Sequence, residues 1–139
     1  IWQVSNYWQS QLRKILRKYN LTLNEYLIIE SIQYLSKNKN KLNQIEISIF
    51  SGLDISVSSV TFKLLEKKNL ITRNIEEDNR KKIIKMLSQG YNLYNEISPI
   101  IIKEESKIFE KLRDETYYFK NILKLLLGKS LRIKADKIL

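Results

Sequence analysis

Apolar residues recur at three- and four-residue intervals through most of this chain, the spacing that gathers them on one face of an α-helix. In the opening segment Val4, Trp8, Leu12, Ile15, Leu16 and Tyr19 share a stripe, while Arg13, Lys14, Arg17 and Lys18 lie off it, so an amphipathic helix is expected. A second helix begins at Thr22, whose hydroxyl can cap it while Glu25 reaches back in a reciprocal capping box. Its buried stripe reads as Ile28, Ile29, Ile32 and Leu35. The polar run 37–41 reads as a loop, because adjacent ammonium groups repel and nothing there can be buried. Asn43 and Glu46 repeat the capping pattern ahead of a short helix carrying Ile45, Ile49 and Phe50, which Gly52 ends by permitting a positive φ. Asp54 or Ser56 caps the next helix, which runs to about Lys68.

The period then changes from helical to alternating. The runs 71–75 and 82–87 are short and β-branched, and they flank a charged turn, so a hairpin with a basic tip is expected. Two short helices about Gly52 have the spacing of a helix-turn-helix, and a hairpin directly after one is the wing of a winged helix. Ser88 caps a long helix with Tyr91, Tyr94, Ile97, Ile101, Ile108 and Leu112 inward, and Pro99 is expected to bend it. Asp114 starts a last helix whose Phe119, Ile122, Leu123, Leu126 and Leu127 exceed what one small domain easily buries. With three glycines, one proline and no repeat, low-complexity tract or linker, residues 1–139 read as one domain, mainly α with a small β-hairpin wing.

Composition narrows the function. Lys and Arg number 25 against 15 Asp and Glu, an excess that points to a polyanion such as nucleic acid or to an anionic membrane surface. The chain has no cysteine and no histidine, which removes disulfides, thiolate nucleophiles, the commonest metal ligand and the commonest general base. Its carboxylates are scattered among lysines and form no inward-facing pair, so neither an enzyme nor a metal or cofactor site is expected. No apolar run is long enough to span a bilayer and no signal peptide is visible, so the cytoplasm is the expected location and no membrane partner is expected.

The stretch Leu65-Glu66-Lys67-Lys68-Asn69-Leu70-Ile71-Thr72-Arg73 is similar to the junction between recognition helix and wing in the MarR (multiple antibiotic resistance regulator) family. Asp78-Asn79-Arg80 resembles that family's wing-tip signature, Leu87-Ser88-Gln89-Gly90 the start of its long helix, and Leu112-Arg113-Asp114-Glu115 the connection into its final helix. Pro99 also falls where many members carry proline, and the resemblance spans about residues 20–127. Asn69 stands where the family usually has glycine, and asparagine is the next most tolerant residue of a left-handed helix end. In the recognition helix the apolar residue expected near Ser58 appears at Val57, and Val60 occupies a position often taken by arginine.

The resemblance implies a homodimeric winged helix-turn-helix regulator of transcription, in which 22–90 form the DNA-binding lobe and 1–20 with 91–139 the dimerisation helices. Its partners would be double-stranded DNA and a second copy of itself. With Val57, Val60, Leu64 and Leu65 taken as core-facing, Ser56, Ser59 and Lys63 point to the major groove, with Ser58 and Phe62 at the borders. By resemblance Arg80 enters the minor groove with Asp78 holding its guanidinium and Asn79 beside it, while Arg73, Lys81 and Lys82 meet phosphates. The apolar chain ends, Trp2, Trp8, Leu126, Leu127, Leu131 and Ile138, fit a dimer interface. Family members often sense small aromatic effectors, for which Trp8, Tyr26 and Tyr34 would line a cleft. A repressor on a pseudo-palindromic, AT-rich operator is the leading reading. A non-specific DNA coater and a dimeric protein adaptor stand as alternatives.

Overall fold

The computed structural model describes residues 1–77 and 80–128, so Asp78, Asn79, Leu131 and Ile138 lie outside the described residues. Helix α1 (Trp2–Arg17) buries Leu12 and Leu16 and leaves its first turns exposed, Val4 among them. It closes with Asn20 at φ 53°, where the Asn20 amide reaches Arg17 O (3.1 Å) and the Leu21 amide reaches Leu16 O (3.1 Å). That pair of bonds is a Schellman closure, with asparagine in the glycine position. Helix α2 (Leu23–Leu35) then starts on the expected capping box, Glu25 N donating to Thr22 Oγ1 and Thr22 N to Glu25 Oε1, both at 3.1 Å. It is the central helix, packing on α1 and on the three helices introduced below, with Tyr26, Ile28, Ile29 and Ile32 buried and Leu35 half-buried.

After the polar loop, Leu42–Asn43 forms a short strand, β1, too brief for any alternation to reveal it. It pairs antiparallel with the second wing strand (Leu42 opposite Ile84), giving a three-stranded sheet with that strand at its centre. Asn43 both ends β1 and caps α3 (Gln44–Ser51), its Oδ1 accepting from Glu46 N at 2.9 Å. Helix α3 buries Ile47 and Ser48 and exposes Ile45, Ile49 and Phe50, and Gly52 closes it at φ 76°. Helix α4 (Ile55–Lys67) has Asp54 as its N-cap without a side-chain bond. It ends on a second asparagine-centred Schellman closure, with Asn69 at φ 57°, Asn69 N to Glu66 O (3.0 Å) and Leu70 N to Leu65 O (3.0 Å). The left-handed turn expected at Asn69 is therefore present.

Strands β2 (Ile71–Ile75) and β3 (Lys82–Met86) form the expected hairpin, Ile71 opposite Met86 and Ile75 opposite Lys82. Leu87 N then bonds Leu70 O (3.0 Å), and Gly90 passes so near that a Cβ there would lie 2.4 Å from the same carbonyl. Helix α5 (Ser88–Phe109) runs through Pro99 and takes Leu87, without a side-chain bond, as its N-cap, so the cap expected of Ser88 is not formed. Its buried stripe is Ile97, Ile101, Glu105 and Phe109. Tyr91 is exposed and Tyr94, Ile108 and Leu112 are half-buried, because the stripe follows i, i+4 through a glutamate that the apolar pattern skipped. That glutamate accepts a hydrogen bond from Trp8 Nε1 (3.1 Å), and the Trp8 ring meets Phe109 edge-on at 5.2 Å, which ties α1 to the far end of α5. A 3₁₀ segment (Glu110–Glu115) with Arg113 at φ 48° and ψ −126° follows, so the last helix, α6 (Thr116–Leu127), starts after Asp114.

Candidate nucleic-acid interface

Helix α4 enters from the tight turn at Gly52 and is held by its own buried side chains. Ser58, Thr61, Phe62 and Leu65 form its inward stripe. Phe62 is a large apolar side chain with zero exposure, and Ser58, also fully buried, donates to the Ile55 carbonyl (2.9 Å) and exchanges a hydroxyl bond with Ser48 of α3 (2.7 Å). Ser58 and Phe62 thus do not border the groove as expected, and Ser59 is half-buried. Two apolar rows run along this helix. Polarity favours the row Val57, Val60, Leu64, but the row containing Phe62 and Leu65 has the greater volume to bury, and two serines can satisfy each other inside.

The outward face consequently holds Ser56 and Lys63, as expected, together with Val57, Val60 and Leu64, which the sequence pattern had assigned to the core. Only Leu65 of that expected core set is buried. The apolar signal was visible in the sequence, but its direction depended on the partner at Ser48.

The far end of α4 is fixed by charge. Lys68 Nζ lies 2.8 Å from Oε2 of Glu25, whose side chain is 1% exposed, and donates to the Asn20 carbonyl at 2.6 Å. One ammonium group therefore joins the end of α4, the start of α2 and the closure of α1. Arg73 of β2 grips Glu66 of α4 through Nε (2.9 Å) and Nη2 (2.7 Å), and its side chain is 15% exposed. The phosphate contact expected of Arg73 is corrected accordingly: the guanidinium braces wing to helix.

At the wing, Glu76 N bonds Lys81 O (2.8 Å) and Arg80 N bonds Glu76 O (3.0 Å), closing the turn with Arg80 at φ 52°. Lys41, from the loop ahead of β1, makes an ion pair with Glu76 at the base of the tip. Arg80, Lys81 and Lys82 are exposed, and no acidic side chain engages them among the described residues. The expected Asp78–Arg80 pairing falls outside the described residues.

Of the three aromatic residues expected around an effector, only Trp8 borders a groove. That groove, ≈ 260 Å³, lies between Ser5, Trp8 and Leu12 of α1, Leu23 and Leu27 of α2, and Leu53 of the α3–α4 turn. Tyr26 is buried in the core and stacks on Tyr94 at 6.4 Å, while Tyr34 stacks on Phe50 of α3 at 4.8 Å on the surface. Both expectations, drawn from the family resemblance, are corrected: α2 turns Tyr26 into the core and carries Tyr34 past the groove. The start of α1 and the last turn of α6 are apolar and open, with Trp2 83%, Leu125 84% and Leu126 71% exposed. No group of three or more metal-ligating side chains occurs among the described residues, and no single helix there is long and apolar enough to cross a membrane.

No family model matches the chain. The uncharacterized HTH-type transcriptional regulator YdcH of Bacillus subtilis (strain 168) is 23% identical to it over 127 residues, 91% of this chain and 86% of the relative. The structure of Staphylococcus aureus MepR bound to DNA superposes with a TM-score of 0.77 at 20% identity, covering 91% of this chain and 90% of that one. Staphylococcus aureus MarR in complex with salicylate and kanamycin superposes with a TM-score of 0.74 at 21% identity, covering 94% and 89%. The fold is that of these winged helices, and the resemblance to the MarR family read from the wing and helix motifs is matched by these neighbours.

Proposed function

We propose that this chain, with its MarR-type winged helix, is a sequence-specific DNA-binding regulator of transcription that works as a homodimer and represses. The observation that carries the reading is the outward face of α4 beside a wing whose tip cations Arg80, Lys81 and Lys82 meet no acidic partner among the described residues, on the fold of a protein solved with DNA bound. An α-helix fits the major groove, and a guanidinium at a wing tip suits the narrow, electronegative minor groove of A·T tracts. Ser56, Ser59 and Lys63 remain at or near the outward face, with Lys81 and Lys82 placed for phosphates. The lobe is 22–90, and 1–20 with 91–139 pair two copies. The open apolar residues of α1 and α6 support this, since such exposed apolar surface is commonly covered by a partner. Two-fold pairing sets the recognition helices about one turn of B-DNA, roughly 34 Å, apart and calls for a pseudo-palindromic site.

A filter-binding titration across salt tests the reading. The selected duplex binds at least ~10³-fold more tightly than random duplex, and Arg80→Ala flattens the logarithmic salt slope by about one unit. Uniform affinity for all duplexes indicates a DNA coater, and a stable dimer that binds no DNA at low salt indicates a protein adaptor. The groove beside Trp8 favours an added role in sensing a small aromatic effector, as a neighbour was solved with salicylate. Quenching of Trp8 fluorescence on titration with salicylate, with release of bound DNA, checks it.

A further inference from the structure

We infer that the base-reading surface of α4 is apolar and selects thymine by its 5-methyl group, with Val60 at its centre and Val57 and Leu64 along one flank. This inference rests on the DNA-binding reading above and names what that site recognises. At 100° per residue, Val60 lies about 200° from the buried Ser58, on the side opposite the inward stripe. Val60 is 58% exposed, Leu64 42% and Val57 38%. The same face carries Lys63 and Lys67, both exposed and neither paired with an acidic side chain among the described residues. An apolar strip with cations beside it fits a surface whose floor offers methyl groups and whose walls carry phosphates.

The chemistry of the groove does the rest. Of the four base pairs seen from the major groove, only those containing thymine present a methyl group, and the others present donors and acceptors alone. A valine docked over a G·C edge leaves those polar groups desolvated and unpaired, which costs more than the contact returns. Valine is also stiff at χ1, so its methyl groups are already placed before the duplex arrives. The polar serines at first expected to read bases are reduced to Ser56 and the half-buried Ser59, because Ser58 is committed to Ser48.

Replacing thymidine by deoxyuridine removes the methyl group and keeps every hydrogen-bonding edge. The probe is the tightest duplex selected from a randomised pool, resynthesised with deoxyuridine at each thymidine in turn. Loss of each methyl group that α4 reads weakens binding by the wild-type protein about fourfold. In Val57→Ala/Val60→Ala, whose exposed positions carry little of the fold, the same exchanges change affinity far less. Wing contacts in the minor groove are untouched, since no methyl group lies there. Equal affinity of the wild type for thymine and uracil duplexes overturns the inference while leaving sequence-specific binding intact. An undiminished uracil effect in the double variant also overturns it, by tracing the effect to the duplex. Failure to select any preferred duplex overturns the inference together with the DNA-binding reading beneath it.

Discussion

Lys68→Met tests whether one buried ion pair holds α4 in place. Methionine keeps the apolar stem of lysine and removes the ammonium group that stands 2.8 Å from Glu25 Oε2, 3.1 Å from Oε1 and 2.6 Å from the Asn20 carbonyl. What remains is a carboxylate at 1% exposure whose Oε1 still accepts from the Thr22 amide. Removing one partner of a fully buried pair costs about 3–5 kcal/mol. Lys68 is 30% exposed, so water can partly take its place, which brings the expected loss down to about 2–3 kcal/mol. For a chain of this size that lowers the melting temperature by roughly 10 °C. Urea unfolding followed by far-UV circular dichroism measures it, and Glu25→Gln in the same background completes a cycle. The double variant is expected to be more stable than Lys68→Met alone, because a neutral amide tolerates burial better than an orphaned charge. A Lys68→Met protein within about 0.5 kcal/mol of the parent, or strictly additive effects, refutes the reasoning.

Three further substitutions probe other joints. Gly90→Ala places a Cβ 2.4 Å from the Leu70 carbonyl and 2.7 Å from Met86 Cγ, and is expected to cost about 2–3 kcal/mol in urea unfolding. Phe62→Ala opens a cavity beneath α4 and costs about 3–5 kcal/mol, whereas Val60→Ala stays within about 0.5 kcal/mol; the reverse order in thermal melts would restore the register first read from the sequence. Trp8→Phe removes one donor to the buried Glu105 carboxylate and is expected to cost about 1 kcal/mol by thermal melting, with an unchanged melting temperature counting against the contact.

Local signals carried much of the architecture. The capping pairs at Thr22 and Asn43, the left-handed ends at Gly52 and Asn69, and the switch from helical to alternating period at Ile71 are each set within a few residues. They put the helix-turn-helix and wing in order from sequence alone, because caps, turns and periods are matters of short-range backbone bonding.

Which face of α4 is turned inward was a different kind of question. Val57, Val60 and Leu64 look like core, and Ser58 looks like surface, until Ser48 on another helix supplies a hydroxyl partner 2.7 Å away. In the same way Glu105 sits in a buried stripe with Trp8, 97 residues earlier, donating to it, and Arg73 is turned onto Glu66 because α4 lies alongside β2. Strand β1 exists only against β3. The chain's own pattern settled where elements begin, end and change type. Tertiary packing alone decided which polar groups could be buried, since that depends on finding a partner far away in sequence, and with it which side chains were left facing outward to be read.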